Sequence, residues 1–133
     1  MKAVKGKIVR SLPLGSVLTV CDNSGAKTIR LFSVKTMKTT KRRMPCAGIG
    51  DMINASVVRG RPDIRKQVVQ AIVVRQKKSY KRADGTRIKF EDNAAVILKD
   101  EKGNPKGTIF KGPIAKEAAE RWPGLAKVAS VVI

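Results

Sequence analysis

Histidine is absent from this 133-residue chain, cysteine occurs twice, and aromatic residues number five. The missing imidazole removes Ser-His-Asp and Cys-His nucleophilic catalysis outright. Cys21 and Cys46 form no Cys-x-x-Cys and are too few for a disulfide framework. A zinc site would need both thiols plus carboxylates, so both cysteines read as small buried or half-buried apolar side chains and no metal is expected. No window approaches the ~20 consecutive apolar residues of a membrane span. The start, Met1-Lys2-Ala3-Val4-Lys5, also lacks the apolar run of a signal peptide. A soluble cytosolic protein without a membrane partner is expected. The carboxylates stand singly among bases, so no paired acid/base site suggests itself. Neither an enzyme, nor a cofactor, nor a small-molecule substrate is expected.

Acid is scarcest in the first two-thirds of the chain. Residues 1–90 hold 22 of the 29 Lys and Arg against only Asp22, Asp51, Asp63 and Asp84, a formal +18 out of +19. Residues 91–133 hold seven bases and six acids and are close to neutral. Charge so dense and so poorly compensated repels itself, and its natural counter-ion is phosphate backbone. The near-neutral last third asks for a different partner or none. Hydrophobic content of 42% is too high for a disordered basic tail. With so few aromatics, the core must be built from Val, Ile, Leu and Ala. The length suits a single domain spanning 1–133, with a β part over about 1–111 and a helical cap and tail over about 112–133.

Short strands separated by turn signals dominate the first hundred residues. Lys7 to Leu12 is a candidate strand stopped at Pro13-Leu14-Gly15, and Ser16 to Cys21 alternates with Leu18 and Val20 on one face. Asp22-Asn23-Ser24-Gly25 is strong turn chemistry, after which Lys27 to Val34 returns with Ile29 and Leu31 on one face. Asp51 to Arg59 forms another strand. The run Val68-Val69-Gln70-Ala71-Ile72-Val73-Val74 is apolar enough for a central strand covered on both sides. Asp84-Gly85 favours a type I′ turn joining arms Arg75 to Arg82 and Thr86 to Phe90, and Ala94 to Lys99 gives one more apolar strand. Phe32, Phe90 and Phe110 read as core. After Gly112-Pro113 the pattern changes to a short helix, Ala115 to Trp122, ended by Pro123-Gly124; Leu125 to Ala129 could add a turn. Five to seven strands followed by helix suggest a small antiparallel β-barrel with a helical cap.

Two local motifs fail on inspection. Ser24-Gly25-Ala26-Lys27-Thr28 has Ala between Gly and Lys and no upstream Gly, so it is no phosphate-binding loop; Gly48-Ile49-Gly50 lacks the third glycine of a dinucleotide fingerprint. Three basic clusters remain. The first is Lys35, Lys38, Lys41, Arg42 and Arg43, and the second is Arg59, Arg61, Arg65 and Lys66. The third runs through Arg75, Lys77, Lys78, Lys81, Arg82, Arg87 and Lys89. One such run is usually a solvated surface; three in loops and at hairpin ends point to nucleic acid, with Arg gripping phosphate bidentately and Lys acting as a mobile point charge. Tyr80, amid the third cluster, is either a base-stacking residue or an amphipathic hairpin side chain. Trp122 reads first as a packing anchor for its helix and second as a partner contact. Scarce aromatics favour recognition of folded RNA by shape and phosphate. A free nucleic-acid chaperone or nucleoid protein on a small barrel is the alternative.

Cys21-Asp22-Asn23-Ser24-Gly25-Ala26-Lys27, the run Ala71-Ile72-Val73-Val74-Arg75 with Asp84-Gly85, Phe90, Asn93 and Val96-Ile97, and Gly107-Thr108-Ile109-Phe110-Lys111-Gly112-Pro113 with Lys116-Glu117 occur here in that order. Together they resemble the universal large-subunit ribosomal protein fourteen family over about residues 8 to 133. Tyr80-Lys81-Arg82, Phe90-Glu91-Asp92-Asn93-Ala94 and Glu120-Arg121-Trp122-Pro123 resemble its archaeal and eukaryotic branch. The resemblance implies a five-stranded barrel with a C-terminal helical part, bound to large-subunit rRNA. It also implies a bridge to small-subunit rRNA, contacts with neighbouring ribosomal proteins, and docking of a subunit anti-association factor. Thr108, Ile109, Lys111, Lys116 and Glu120 are the residues expected to meet protein.

Overall fold

The computed structural model describes residues 8–35 and 41–133. Among these, the chain forms β1 (Leu12–Pro13), β2 (Val17–Val20), β3 (Ala26–Val34), β4 (Cys46–Ala47), β5 (Met52–Gly60), β6 (Val68–Arg75), β7 (Tyr80–Lys81), β8 (Arg87–Ile88) and β9 (Ala94–Ile97), followed by α1 (Lys116–Arg121) and α2 (Pro123–Val128). β2, β3, β5, β6 and β9 close into a barrel in that order. Four of its seams are antiparallel, but the seam between β2 and β9 is parallel. The barrel is therefore mixed, which corrects the antiparallel expectation. The reason is parity: an odd number of strands that alternate in direction brings the first and last together running the same way.

Period-2 alternation sorts the side chains. Leu18, Ile29, Leu31, Ile53, Val57, Ala71, Val73, Ala95 and Ile97 fill the barrel. On β6 and β9 the intervening Ile72, Val74, Ala94 and Val96 point outward into a second core made with Phe90, Phe110, Ile114, Trp122 and Leu125. That double coverage is why the stretch from Ala71 to Val74 is apolar without interruption. Phe32, expected in the core, is 46% exposed. It follows the inward-facing Leu31, and a register shift between Leu31 and Ser33 leaves it as an extra residue on a wall that none of the described residues covers.

The other differences are local. Of the expected first strand, Lys7 to Leu12, only Leu12 is paired, with Ala47; Pro13, read as its stop, extends the ladder against Cys46, Ile8 to Ser11 form no strand, and Lys7 lies outside the described residues. The Asp84-Gly85 hairpin is shorter than expected, Tyr80 facing Ile88 and Lys81 facing Arg87. Cys21 is buried, and burial pushes its thiol pKa up to about 11. Trp122 is the anchor it was read as: it is buried, and its indole Nε1 donates to the Gly50 carbonyl at 2.7 Å. Pro123, expected to end the helix, also opens α2 at its first position.

Three buried acids tie these parts together. Asp22 accepts from Ser24 backbone N–H and Oγ on one oxygen and from Ile97 N–H on the other, fastening the β2–β3 turn to the end of β9. Asp51 accepts from Gly48 N–H and pairs with Arg121 at 3.1 Å and Arg10 at 3.4 Å. Glu117, on α1, accepts from Tyr80 Oη at 2.9 Å and from Arg82 Nε at 2.8 Å, fastening the hairpin to the helix. Breaking a largely buried pair by removing one partner costs about 3 kcal/mol, whereas a single neutral hydrogen bond is worth about 1 kcal/mol. Glu117→Ala is therefore expected to lower the unfolding free energy about three times as much as Tyr80→Phe, as read by urea denaturation. Equal, small losses in both variants would show that the hairpin is not held through this carboxylate.

Candidate nucleic-acid interface

Strand direction decides which loops share an end of the barrel. β2, β5 and β9 run one way and β3 and β6 the other. The connections 21–25 and 61–67 therefore lie at one rim, and 76–93 lies at the opposite rim together with Lys35 and 41–51, the described residues between β3 and β5. The first and third basic clusters are thus brought to one rim, while Arg59, Arg61, Arg65 and Lys66 are at the other. Lys38 lies outside the described residues.

At the shared rim, Lys41, Arg42 and Arg43 are exposed, as are Lys77, Lys78, Lys81 and Arg87. Lys81 and Arg87 sit directly opposite each other across the β7–β8 ladder, a like-charge pair that disfavours the hairpin until an anion intervenes. Lys35 departs from this set, its Nζ held by Glu101 Oε1 at 2.7 Å, and that ammonium keeps the Glu101 carboxyl below its usual range.

Three residues proposed from sequence turn inward. Tyr80 is fully buried with its hydroxyl on Glu117, and burial together with that carboxylate raises its pKa to about 12. It therefore has no ring face free for a base, which corrects the stacking assignment. Arg82, its side chain 18% exposed, is committed to Glu117 and the Ile133 carbonyl. Arg75, 11% exposed, pairs with Asp92 and donates to the Lys111 and Pro113 carbonyls. Two guanidiniums counted as surface charge are thus internal ties. Neither partner was visible in a linear reading, since Glu117 is 35 residues from Arg82 and Asp92 is 17 from Arg75.

At the opposite rim, Arg61 lies across the β2–β3 turn. Its backbone N–H donates to the Gly25 carbonyl at 3.0 Å and its Nη2 to the Ser24 carbonyl at 3.3 Å. Gly25 has φ 103°, and a Cβ there would sit 2.4 Å from Arg61 Nε, so glycine serves both the turn and the close approach. Arg61 also meets Asp63 at 3.5 Å, with both side chains well exposed. Arg59, Arg65 and Lys66 are exposed and make no ion pair among the described residues. Lys89 of the third cluster is exposed as well, and the exposed cations that the three clusters did not include comprise Lys27 and Arg30 on β3 among others. Lys27 and Arg30 were legible as outward positions once Ile29 and Leu31 were placed inside.

The near-neutral segment docks on the same turn. Asn23 Oδ1 accepts from Thr108 N–H at 2.8 Å, and its Nδ2 donates to Thr108 Oγ1 at 3.1 Å. Ile109 stands 61% exposed beside it, and Lys111 is also exposed. On α1, Lys116 and Glu120 form the expected (i, i+4) pair at 3.7 Å, both in solvent. Among the described residues no three His, Cys, Asp or Glu side chains are grouped to hold a metal, and no helix is long and apolar enough to cross a membrane.

Two basic-loop residues adopt left-handed backbone without being glycine, Arg42 at φ 66° and Lys66 at φ 65°. This conformation costs an L-residue roughly 1 kcal/mol, which glycine does not incur. Lys66→Gly is expected to be about 1 kcal/mol more stable than Lys66→Ala, while both lose the same affinity for heparin as a simple polyanion. Equal stability in urea would mean that the backbone relaxes to a different conformation.

The profile of the family described as Ribosomal protein L14p/L23e matches residues 11–133. The chain is 56% identical to large ribosomal subunit protein uL14 of Nanoarchaeum equitans over 133 residues, covering all of both chains. It is 55% identical to uL14 of Methanococcus vannielii over 132 residues, 99% of each, and 50% identical to uL14 of Picrophilus torridus over 133 residues, all of both. With similarity at this level running from end to end, the chain belongs to the ribosomal protein L14p/L23e family.

Proposed function

We propose that this chain, by its family a structural constituent of the large ribosomal subunit in the cytoplasm, binds large-subunit rRNA through two separate rims of basic loops and has no catalytic role. The observation that carries this reading is the set of exposed cations at both rims without carboxylate partners: Lys41, Arg42, Arg43, Lys77, Lys78, Lys81 and Arg87 at one, and Arg59, Arg65 and Lys66 at the other. A nine-residue strand such as β3 spans about 27 Å, so one phosphate cluster cannot satisfy both rims. Two rims on one rigid barrel fix two RNA segments relative to each other.

The near-neutral surface supports a different kind of contact. Ile109 is an exposed apolar side chain on a loop stiffened by Asn23, and Lys116 and Glu120 present a mixed, nearly self-neutralised helix face close by in sequence. Thr108, Ile109, Lys111, Lys116 and Glu120 form the proposed docking face for a neighbouring ribosomal protein or a subunit anti-association factor. The inter-subunit bridge, with small-subunit rRNA as partner, belongs to the same proposal.

Two measurements separate these surfaces. The triple variant Lys41→Ala, Arg42→Ala, Arg43→Ala should weaken binding to a large-subunit rRNA transcript and lower the slope of log affinity against log salt by up to about three units. An unchanged slope removes that loop from the interface. Ile109→Glu and Lys116→Glu should impair protein docking, read by co-sedimentation of factors with large subunits, while leaving affinity for the rRNA transcript within about twofold, because rim charges far from an interface are largely screened. Loss of rRNA affinity along with docking would mean that the two faces are one.

A further inference from the structure

The barrel is covered on only one side. The helices and the loops around Phe90 and Phe110 seal the outer faces of β9, of β6 from Ile72 onward and of β5 at Met52, but the described residues leave open the outer faces of β2, β3, the rest of β5 and the start of β6 at Val68. Register aligns Val17, Arg30, Ser56 and Val68 in one row across four strands. Val17 and Val68 are 50% and 68% exposed. Two of the three bulges on the β3–β5 seam add apolar side chains to this wall: Phe32 is the extra residue between Leu31 and Ser33, and Val58 the extra residue between Val57 and Arg59, at 46% and 39% exposure. Among exposed large hydrophobic residues, Phe32 is an aromatic ring with a free face.

What the wall can meet follows from its charge. The five barrel strands contain no Asp or Glu at all, whereas β3 and β5 carry Lys27, Arg30 and Arg59 facing solvent. Glu101 reaches the margin from the loop after β9, but Lys35 Nζ at 2.7 Å already holds it. An apolar protein surface laid over this wall would strand Arg30 without a counter-charge, at the desolvation cost of an unpaired guanidinium. A nucleotide supplies both needs at once: a base for the ring and, across its own ribose, a phosphate for the arginine. Stacking tolerates any base, so an exposed phenylalanine beside cations suits an unpaired residue of a folded RNA.

We infer that this bare wall is a third RNA-contacting surface, between the two rims, on which Phe32 stacks an unpaired base and Arg30 holds the adjoining phosphate. The inference rests on the rRNA-binding reading above and names its base-contacting residue.

Phe32 is exposed, so Phe32→Ala should fold as the parent does. The variant is expected to bind a large-subunit rRNA transcript about tenfold more weakly, with an unchanged salt slope, because no phosphate contact is lost. Its affinity for heparin, a polyanion without bases, should equal that of the parent. Phe32→Trp should restore rRNA binding, and its indole fluorescence should be quenched on rRNA, Trp122 being buried and shared by both forms. Parent-like rRNA affinity in Phe32→Ala overturns the inference. So does parent-like affinity combined with poor incorporation into large subunits, which would assign the wall to a protein. If the parent shows no preference for rRNA over heparin and the triple loop variant keeps its salt slope, the underlying rRNA reading fails instead.

Discussion

Three carboxylates removed from the surface decide the character of this molecule. Asp22, Asp51 and Glu117 are buried, and each fastens two pieces that the chain alone would leave loose: a turn to a strand end, a loop to a helix, a hairpin to that same helix. A buried carboxylate without partners would be costly, and all three are paired with donors or cations. The chain has only ten acids. Committing three of them to internal joints, while Arg75 and Arg82 are spent on similar joints, leaves the remaining cations to face solvent with little to neutralise them. Rigidity and unbalanced surface charge thus come from the same residues.

The barrel sets where that charge goes. Alternating strand direction sends successive connections to opposite rims, so basic loops adjacent in sequence part company in space. Residues 41–43 join 75–89 across an intervening strand pair, while 59–66 stands apart against the β2–β3 turn. The near-neutral stretch after β9 is clipped to that turn by Asn23, and α1 is held through Glu117 by Tyr80 and Arg82, so the residues proposed to meet protein ride on the same frame as the cations. Each contact surface is therefore positioned by burial elsewhere, not by its own stability.

Much of this was legible in the residues. Period-2 alternation located the strands, the unbroken apolar run of β6 announced a strand covered on both faces, and Asp22 to Gly25 and Asp84-Gly85 announced turns. Trp122 as an anchor, and helix after Gly112-Pro113, followed from local chemistry. What was hidden depended on partners distant in sequence. Tyr80 lies among lysines in the chain, yet a carboxylate 37 residues away draws it inside. Arg75 and Arg82 counted as free charge for the same reason. Phe32 went astray in the opposite sense: alternation with Leu31 already aimed it outward, but the habit of placing phenylalanine in cores outweighed the period. The parallel seam needed only the count of strands.

The exposed cations also bear on when this protein is stable. Repulsion among Lys77, Lys78, Lys81 and Arg87, the last two directly opposed on a two-residue ladder, works against the very hairpin that Glu117 holds down. An anion that binds only the folded arrangement stabilises it in proportion to the logarithm of its concentration over its dissociation constant. On the proposed reading, RNA would act on the fold as a structural element: it would relieve like-charge repulsion at each rim, and every phosphate that did so would also register one RNA segment against the barrel. The internal carboxylates leave the cations available, and a polyanion bound to them would offset their repulsion, so the assembled pair would be more stable than the protein alone.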